Sequence, residues 1–126
     1  MEIVSFEIAK KLKEKGFPQH ITDYAYIVDN YGEDECDIGD RLPISLIPDY
    51  MDDVAAPTIW QVLKWLREEK KWSIVIRLYG KNGWYWFVQD NNGELRASQL
   101  ASCDECFSTY EQAALAGIEY VIDNLI

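Results

Sequence analysis

Residues 72–100 read WSIVIRLYGKNGWYWFVQDNNGELRASQL, and this stretch decides the fold class. Three runs rich in β-branched and aromatic residues, Trp72 to Tyr79, Trp84 to Gln89 and Glu94 to Leu100, are separated by Lys81-Asn82-Gly83 and Asn91-Asn92-Gly93. Asn-Gly between such runs is the strongest short-range hairpin signal, because the turn needs backbone with φ > 0. The spacing predicts an antiparallel three-stranded meander. With a three-residue first loop, Tyr79 falls opposite Tyr85 and Leu78 opposite Trp86. Trp72, Ile74, Ile76, Leu78, Trp84, Trp86 and Val88 then share one face, the expected core, with Ile76 and Trp86 deepest. Arg77, Tyr79, Tyr85 and Phe87 share the other, and a two-residue second turn would add Arg96 and Ser98. Aromatic rings interleaved with arginine are the composition of a binding platform. A helix covering that face would turn the same residues into core.

Working outward, helices flank the meander. Val4, Ile8 and Leu12 recur at i, i+4 and i+8, predicting a helix from about Val4 to Lys15, closed by Gly16, Phe17 and Pro18. Thr58 and Gln61 form a capping box before the stripe Ile59, Val62, Leu63 and Leu66, while Lys64, Arg67, Glu68, Glu69, Lys70 and Lys71 supply the wet side. Ser108 and Glu111 form another box before Ala114, Leu115, Ile118, Val121, Ile122 and Leu125. Between the first two helices, Ile21 to Val28 reads as a strand and Asp29 to Asp40 as an acidic loop. Arg41 to Ile47 is at best an edge strand because Pro43 cannot donate to a ladder, and Pro48 to Pro57 reads as irregular. The expected order is α-β-(β)-α-β-β-β-α: one α+β domain over 1–126, a three- to five-stranded antiparallel sheet with three helices.

Charge is distributed unevenly. The chain of 126 residues carries a net −10, and residues 21–56 hold ten acids (Asp23, Asp29, Glu33, Asp34, Glu35, Asp37, Asp40, Asp49, Asp52, Asp53) against Arg41 alone. Residues 57–80 carry five basic side chains against two acidic ones. The acidic segment repels phosphate backbones and opposes nucleic-acid binding; it suits a basic protein partner, with Glu33, Asp34, Glu35 and Asp37 as contact candidates. A solvated loop that aids solubility is the plainer reading. No apolar run resembles a signal peptide or a membrane span, and three cysteines do not make a paired disulfide framework, so a cytoplasmic location is expected.

Chemistry-bearing motifs are sparse. Cys103-Asp104-Glu105-Cys106 with Cys36 and His20 would be a legitimate zinc set, but no second paired motif supports it, and the intervening acids disfavour reactive thiolates. His20, the single histidine, lies near no nucleophile motif. No cofactor, metal site or catalytic residue is expected.

VSFEIAKKLKEKGF at 4–17, APTIWQVLKWLREE at 56–69 and FSTYEQAALAGI at 107–118 resemble small uncharacterised proteins encoded by phages and mobile elements of gut bacteria. The resemblance brings no activity or functional residue with it. It implies action in a host cytoplasm as an accessory or anti-defence factor. The expected function is a non-enzymatic acidic module that binds a protein, a role compatible with self-association. The alternative is a small metal-dependent or nucleotide-processing enzyme.

Overall fold

In a computed structural model that describes residues 2–29, 37–47, 52–81, 83–99 and 106–126, the fold is α+β. Its elements are α1 (Phe6–Glu14), β1 (Tyr24–Asp29), β2 (Asp37–Pro43), a 3-10 turn (Ile44–Leu46), β3 (Asp52–Ala55), α2 (Ile59–Glu69), β4 (Ser73–Leu78), β5 (Trp84–Gln89), β6 (Leu95–Ser98) and α3 (Tyr110–Asn124). They divide between two compact units, residues 3–58 and residues 59–126. Among the described residues six strands form two antiparallel sheets of three, one in each unit, where the sequence predicts a single sheet.

In the first unit, α1 starts two residues later than its apolar stripe suggests: the Ser5 hydroxyl accepts from the Ile8 N–H at 3.3 Å and fixes the N-terminus. The C-terminus closes as the Gly16 signal predicts. Gly16 takes φ +94°, its N–H reaches the Lys13 carbonyl, and the Phe17 N–H reaches the Leu12 carbonyl at 2.9 Å. Phe6, Ile8, Ala9 and Leu12 are buried on one side of α1, with Val4 and Phe17 beside them in the core. The sheet runs β2-β1-β3 with β1 central. Tyr26 on β1 sets its ring edge-on to Phe6 at 5.4 Å, and its hydroxyl donates to the Val4 carbonyl. The Ala55 N–H donates to Gln19 Oε1 at 2.8 Å, which ties the loop after α1 to β3.

Two strands differ from the sequence reading. β3 lies inside the segment read as irregular: Asp52 pairs with Val28 and Ala55 with Ala25, and the buried Val54 and Ala55 outweigh the two aspartates before them. β2 begins at Asp37, within the expected loop, and ends at Pro43 instead of continuing to Ile47. Its pairing with β1 slips by one residue between Tyr26 and Val28, so the alternation that marks a strand is broken at Gly39-Asp40.

In the second unit, α2 buries Ile59, Val62, Leu63, Trp65 and Leu66. It ends with Lys71 at φ +64°, and the Trp72 N–H returns to the Leu66 carbonyl. α3 is capped by Thr109, not Ser108. The Thr109 hydroxyl accepts from the Gln112 N–H at 3.1 Å, and Gln112 Oε1 accepts from the Ser108 N–H at 3.2 Å. The box has moved one residue along, onto side chains of the same kinds. Gly117 lets α3 sit close on the sheet, since a Cβ there would lie 2.9 Å from Ile74 Cγ2 and 3.3 Å from Trp86 Cβ.

Candidate functional site

The β4-β5-β6 meander carries the candidate surface. Leu78 pairs with Trp84, Arg77 with Tyr85, Ile76 with Trp86 and Val75 with Phe87. The Tyr79 N–H reaches the Gly83 carbonyl at 2.7 Å, so the first loop is centred one residue earlier than expected, and each β4 residue meets a partner two positions earlier on β5. A slip of two preserves every side-chain direction, so the assignment of faces holds while the individual partners change.

One face turns to α3. Trp86 lies against Tyr120 with centroids 5.1 Å apart and the rings tilted by 39°, and Trp84 meets Tyr110 edge-on at 5.4 Å. Trp86 and Val88 are buried, Ile76 is half-buried, and Leu78 at the end of the strand is exposed. The burial gradient runs from the middle of the sheet to the hairpin tip.

The opposite face gathers Arg77, Tyr79, Tyr85 and Phe87 into one continuous ladder. Tyr79 meets Tyr85 edge-on with centroids 5.9 Å apart, and Tyr85 stacks on Phe87 at 6.1 Å with 30° between the rings. The Arg77 guanidinium lies over Phe87, 5.6 Å from the centroid. Ser98, paired with Phe87 across β6, extends the face. Arg77 is exposed, Tyr79 is 50% exposed, and Tyr85 and Phe87 are half-buried. Each ring contact is of the kind worth about 0.5–1.5 kcal/mol, enough to hold the ladder in one arrangement before anything binds it.

Arg96 does not join the ladder. The second turn spans three residues, with Gly93 at φ +81° and the Asp90 N–H reaching the Glu94 carbonyl. The β5–β6 register then slips between Val88 and Gln89, which displaces Arg96 from the alternation. Its guanidinium goes to Asp90 instead, with both Nε and Nη2 at 2.7 Å from Oδ2. Asp90 Oδ1 also accepts from the Asn92 and Glu94 N–H groups. Desolvation pushes the Asp90 carboxyl up, but the Glu94 N–H, the Arg96 guanidinium and the Asn92 N–H together hold it below the ordinary carboxylate value. This carboxylate organises the turn.

Of the acidic contact candidates, Glu33, Asp34 and Glu35 lie outside the described residues, while Asp37 opens β2 and pairs with Asp29. The register of the first sheet brings Asp29, Asp37, Asp52 and Asp53 to one end of it. That gathering was hidden in the sequence, because it depends on β3, which the alternation did not reveal. Cys36 and Cys103 also lie outside the described residues; Cys106 is half-buried and His20 exposed. Among the described residues no group of three or more His, Cys, Asp or Glu side chains is placed to hold a metal ion, and no helix is long and apolar enough to cross a membrane.

A shallow groove of about 420 Å³ lies in the first unit, between Phe6, Lys10 and Lys13 of α1 and Asp52 and Val54 of β3. Lys13 Nζ donates to the Asp53 carbonyl at 3.2 Å, and Lys10 sits over the Phe6 ring. The groove's ionic side chains are of both signs, and its lining offers no nucleophile–base pair.

Comparison with known proteins finds no matching protein family, no similar curated protein and no similar solved structure.

Proposed function

We propose that this chain is a non-enzymatic protein-interaction module of phage or mobile-element origin, acting as an accessory or anti-defence factor in a host cytoplasm. The observation that carries the reading is the Arg77–Tyr79–Tyr85–Phe87 ladder. It is pre-ordered by its own ring contacts yet keeps Arg77 and Tyr79 exposed. Tyrosine and arginine on a rigid scaffold are the residues that most often dominate protein–protein binding energy, and a pre-ordered ladder loses little side-chain entropy on binding. The acidic segment supports the same reading in a different role. It steers a basic partner, such as the DNA-binding surface of a host or rival protein, and it discourages nucleic acid itself.

The experiment is affinity capture from host lysate with wild type and an Arg77→Ala/Tyr79→Ala variant, each checked for fold by circular dichroism. Wild type should retain a stoichiometric protein that the double variant loses. A partner retained equally by both would remove the ladder from the binding surface. Turnover of a nucleotide or metal-dependent substrate without any retained partner would favour the enzymatic alternative.

A further inference from the structure

The outer edge of β4 carries a second surface, distinct from the ladder. Leu78 pairs with Trp84, and Trp84 directs its backbone groups to Phe107 on the other side of β5. Its N–H donates to the Phe107 carbonyl at 2.8 Å, and its carbonyl accepts from the Phe107 N–H at 2.7 Å. The Leu78 N–H and carbonyl therefore point away from β5, and by strand alternation so do those of Ile74 and Ile76. Among the described residues β4 pairs with no strand but β5, so these three residues present unpaired donors and acceptors along one line. The other sheet edges are blunted. β2 carries Asp37, Asp40, Arg41 and Pro43, β3 opens on Asp52 and Asp53, and β6 is only four residues long. β4, with the sequence SIVIRL, has Arg77 as its one charge and no proline. Its apolar side chains also stay partly uncovered. Ile74 and Ile76 are half-buried where their β5 partners Val88 and Trp86 are buried, and Leu78 is 57% exposed.

We infer that this edge pairs with the same edge of a second copy of the chain, antiparallel about a two-fold axis, joining two meanders into one six-stranded sheet. The pairing stands apart from the ladder reading. An exposed apolar edge is a template for another strand, and two identical strands can satisfy each other across a two-fold axis. One register uses all three outward-facing residues: Ile76 opposite the second copy's Ile76, and Leu78 opposite the second copy's Ile74. Each such pair exchanges two hydrogen bonds, about six in all. All these side chains lie on the helix side of the sheet, so the partly uncovered aliphatic groups of both copies meet. On the other side Val75 faces the second copy's Arg77, and no like charges oppose each other. A shift of two residues toward the hairpin loses one pair and sets arginine against arginine. The net charge of −10 opposes approach at long range, but the edge lies in segment 57–80, where basic side chains outnumber acidic ones. One strand edge is a small interface, so association should be weak, with Kd between about 1 μM and 1 mM.

Sedimentation equilibrium over that concentration range tests the inference. Wild type should rise to twice the 14.6 kDa chain mass and stop there, because the pairing uses up the edge. Raising salt from about 0.05 M to about 0.5 M should strengthen association, since screening relieves the repulsion between two acidic chains and leaves hydrogen bonds and apolar contacts in place. Leu78→Pro removes one outward N–H without touching the β4–β5 hydrogen bonds, and should weaken association at least roughly tenfold. Val75→Lys, which would face Arg77 across the seam, should also weaken it, and Val75→Glu should tighten it about threefold. Circular dichroism checks each fold, and the two Val75 variants keep the test open if Leu78→Pro does not fold. A monomeric wild type, growth beyond the dimer, association that survives Leu78→Pro in a folded chain, or equal affinities for Val75→Lys and Val75→Glu would each overturn the inference. A wild type that stays monomeric while Leu78→Pro loses a captured partner would overturn it too, and would assign the edge to an extended segment of another protein.

Discussion

Arg77 and Phe87 lie diagonally across the β4–β5 ladder, each directly paired with another residue, and the guanidinium still covers the ring at 5.6 Å. Diagonal neighbours on one sheet face are within reach of long side chains. Such a contact at an exposed site is worth about 0.5–1 kcal/mol. Arg77→Ala should therefore lower unfolding free energy by no more than about 1 kcal/mol, read from the urea midpoint at unchanged slope. A larger loss would make Arg77 a structural residue first and a contact residue second.

Gly83 is the position where the hairpin depends most on the absence of a side chain. It takes φ +115°, and a Cβ would stand 2.4 Å from the Phe107 carbonyl oxygen, which accepts the Trp84 N–H at 2.8 Å. Backbone cannot swing aside as a side-chain tip can. Gly83→Ala should cost about 2 kcal/mol or more, from strain and the loss of the Trp84–Phe107 bridge. A thermal midpoint unchanged by the substitution would contradict the close approach.

How much of this was legible follows from which signals are local. The meander and its two faces were, because Asn-Gly turns and alternation act over a few residues, and a two-residue slip leaves the faces unchanged. β3 was not, because Asp52 and Asp53 mask a strand whose only apolar support is Val54 and Ala55. The start of β2 was not, because the slip opposite Ile27 breaks its alternation. Arg96 could not be placed from sequence, since its direction depends on a register change between Val88 and Gln89. The acidic end of the first sheet is a property of tertiary pairing, and composition alone gave only its sign.

Asp90 gives the second unit an acid-sensitive turn. Its carboxyl is held below the ordinary 3.8, so the stabilisation is present above that value and is lost as pH falls through the lower native value. Asp90→Asn should destabilise the protein at neutral pH, and the gap from wild type should close as pH falls through that lowered value. A pH-independent gap would mean that ionisation of this carboxylate contributes nothing to stability.

Tyr26 should act at the other end of the pH scale. Burial pushes its phenol above 10.0 against the opposing pull of Arg41. The neutral hydroxyl that donates to Val4 is therefore favoured in the native state, and its stabilisation is lost as pH rises through the raised value. Tyr26→Phe should be less stable than wild type at neutral pH by about 1 kcal/mol, and the difference should shrink under strong alkali. A difference that grows with pH would reverse the sign of this assignment.

The acidic segment should show itself in rates. Neutralising Glu33, Asp34, Glu35 and Asp37 together should slow association with the captured partner and flatten its salt dependence, with a smaller effect on dissociation. Stopped-flow association at two salt concentrations reads this directly. Equal on-rates with unchanged salt dependence would reduce the segment to a solubility device.

The most direct test of the interaction surface is the affinity of the captured partner for wild type and for Tyr79→Ala, measured by titration calorimetry. Tyr79 is half exposed at the rim of the sheet, so its loss should leave the fold unchanged while removing an anchor of the ladder. The expected result is a loss of about 2 kcal/mol, roughly thirtyfold in Kd, with an unchanged circular dichroism spectrum at the temperature of the titration. Affinities within twofold of each other would contradict the assignment of this face as the contact surface.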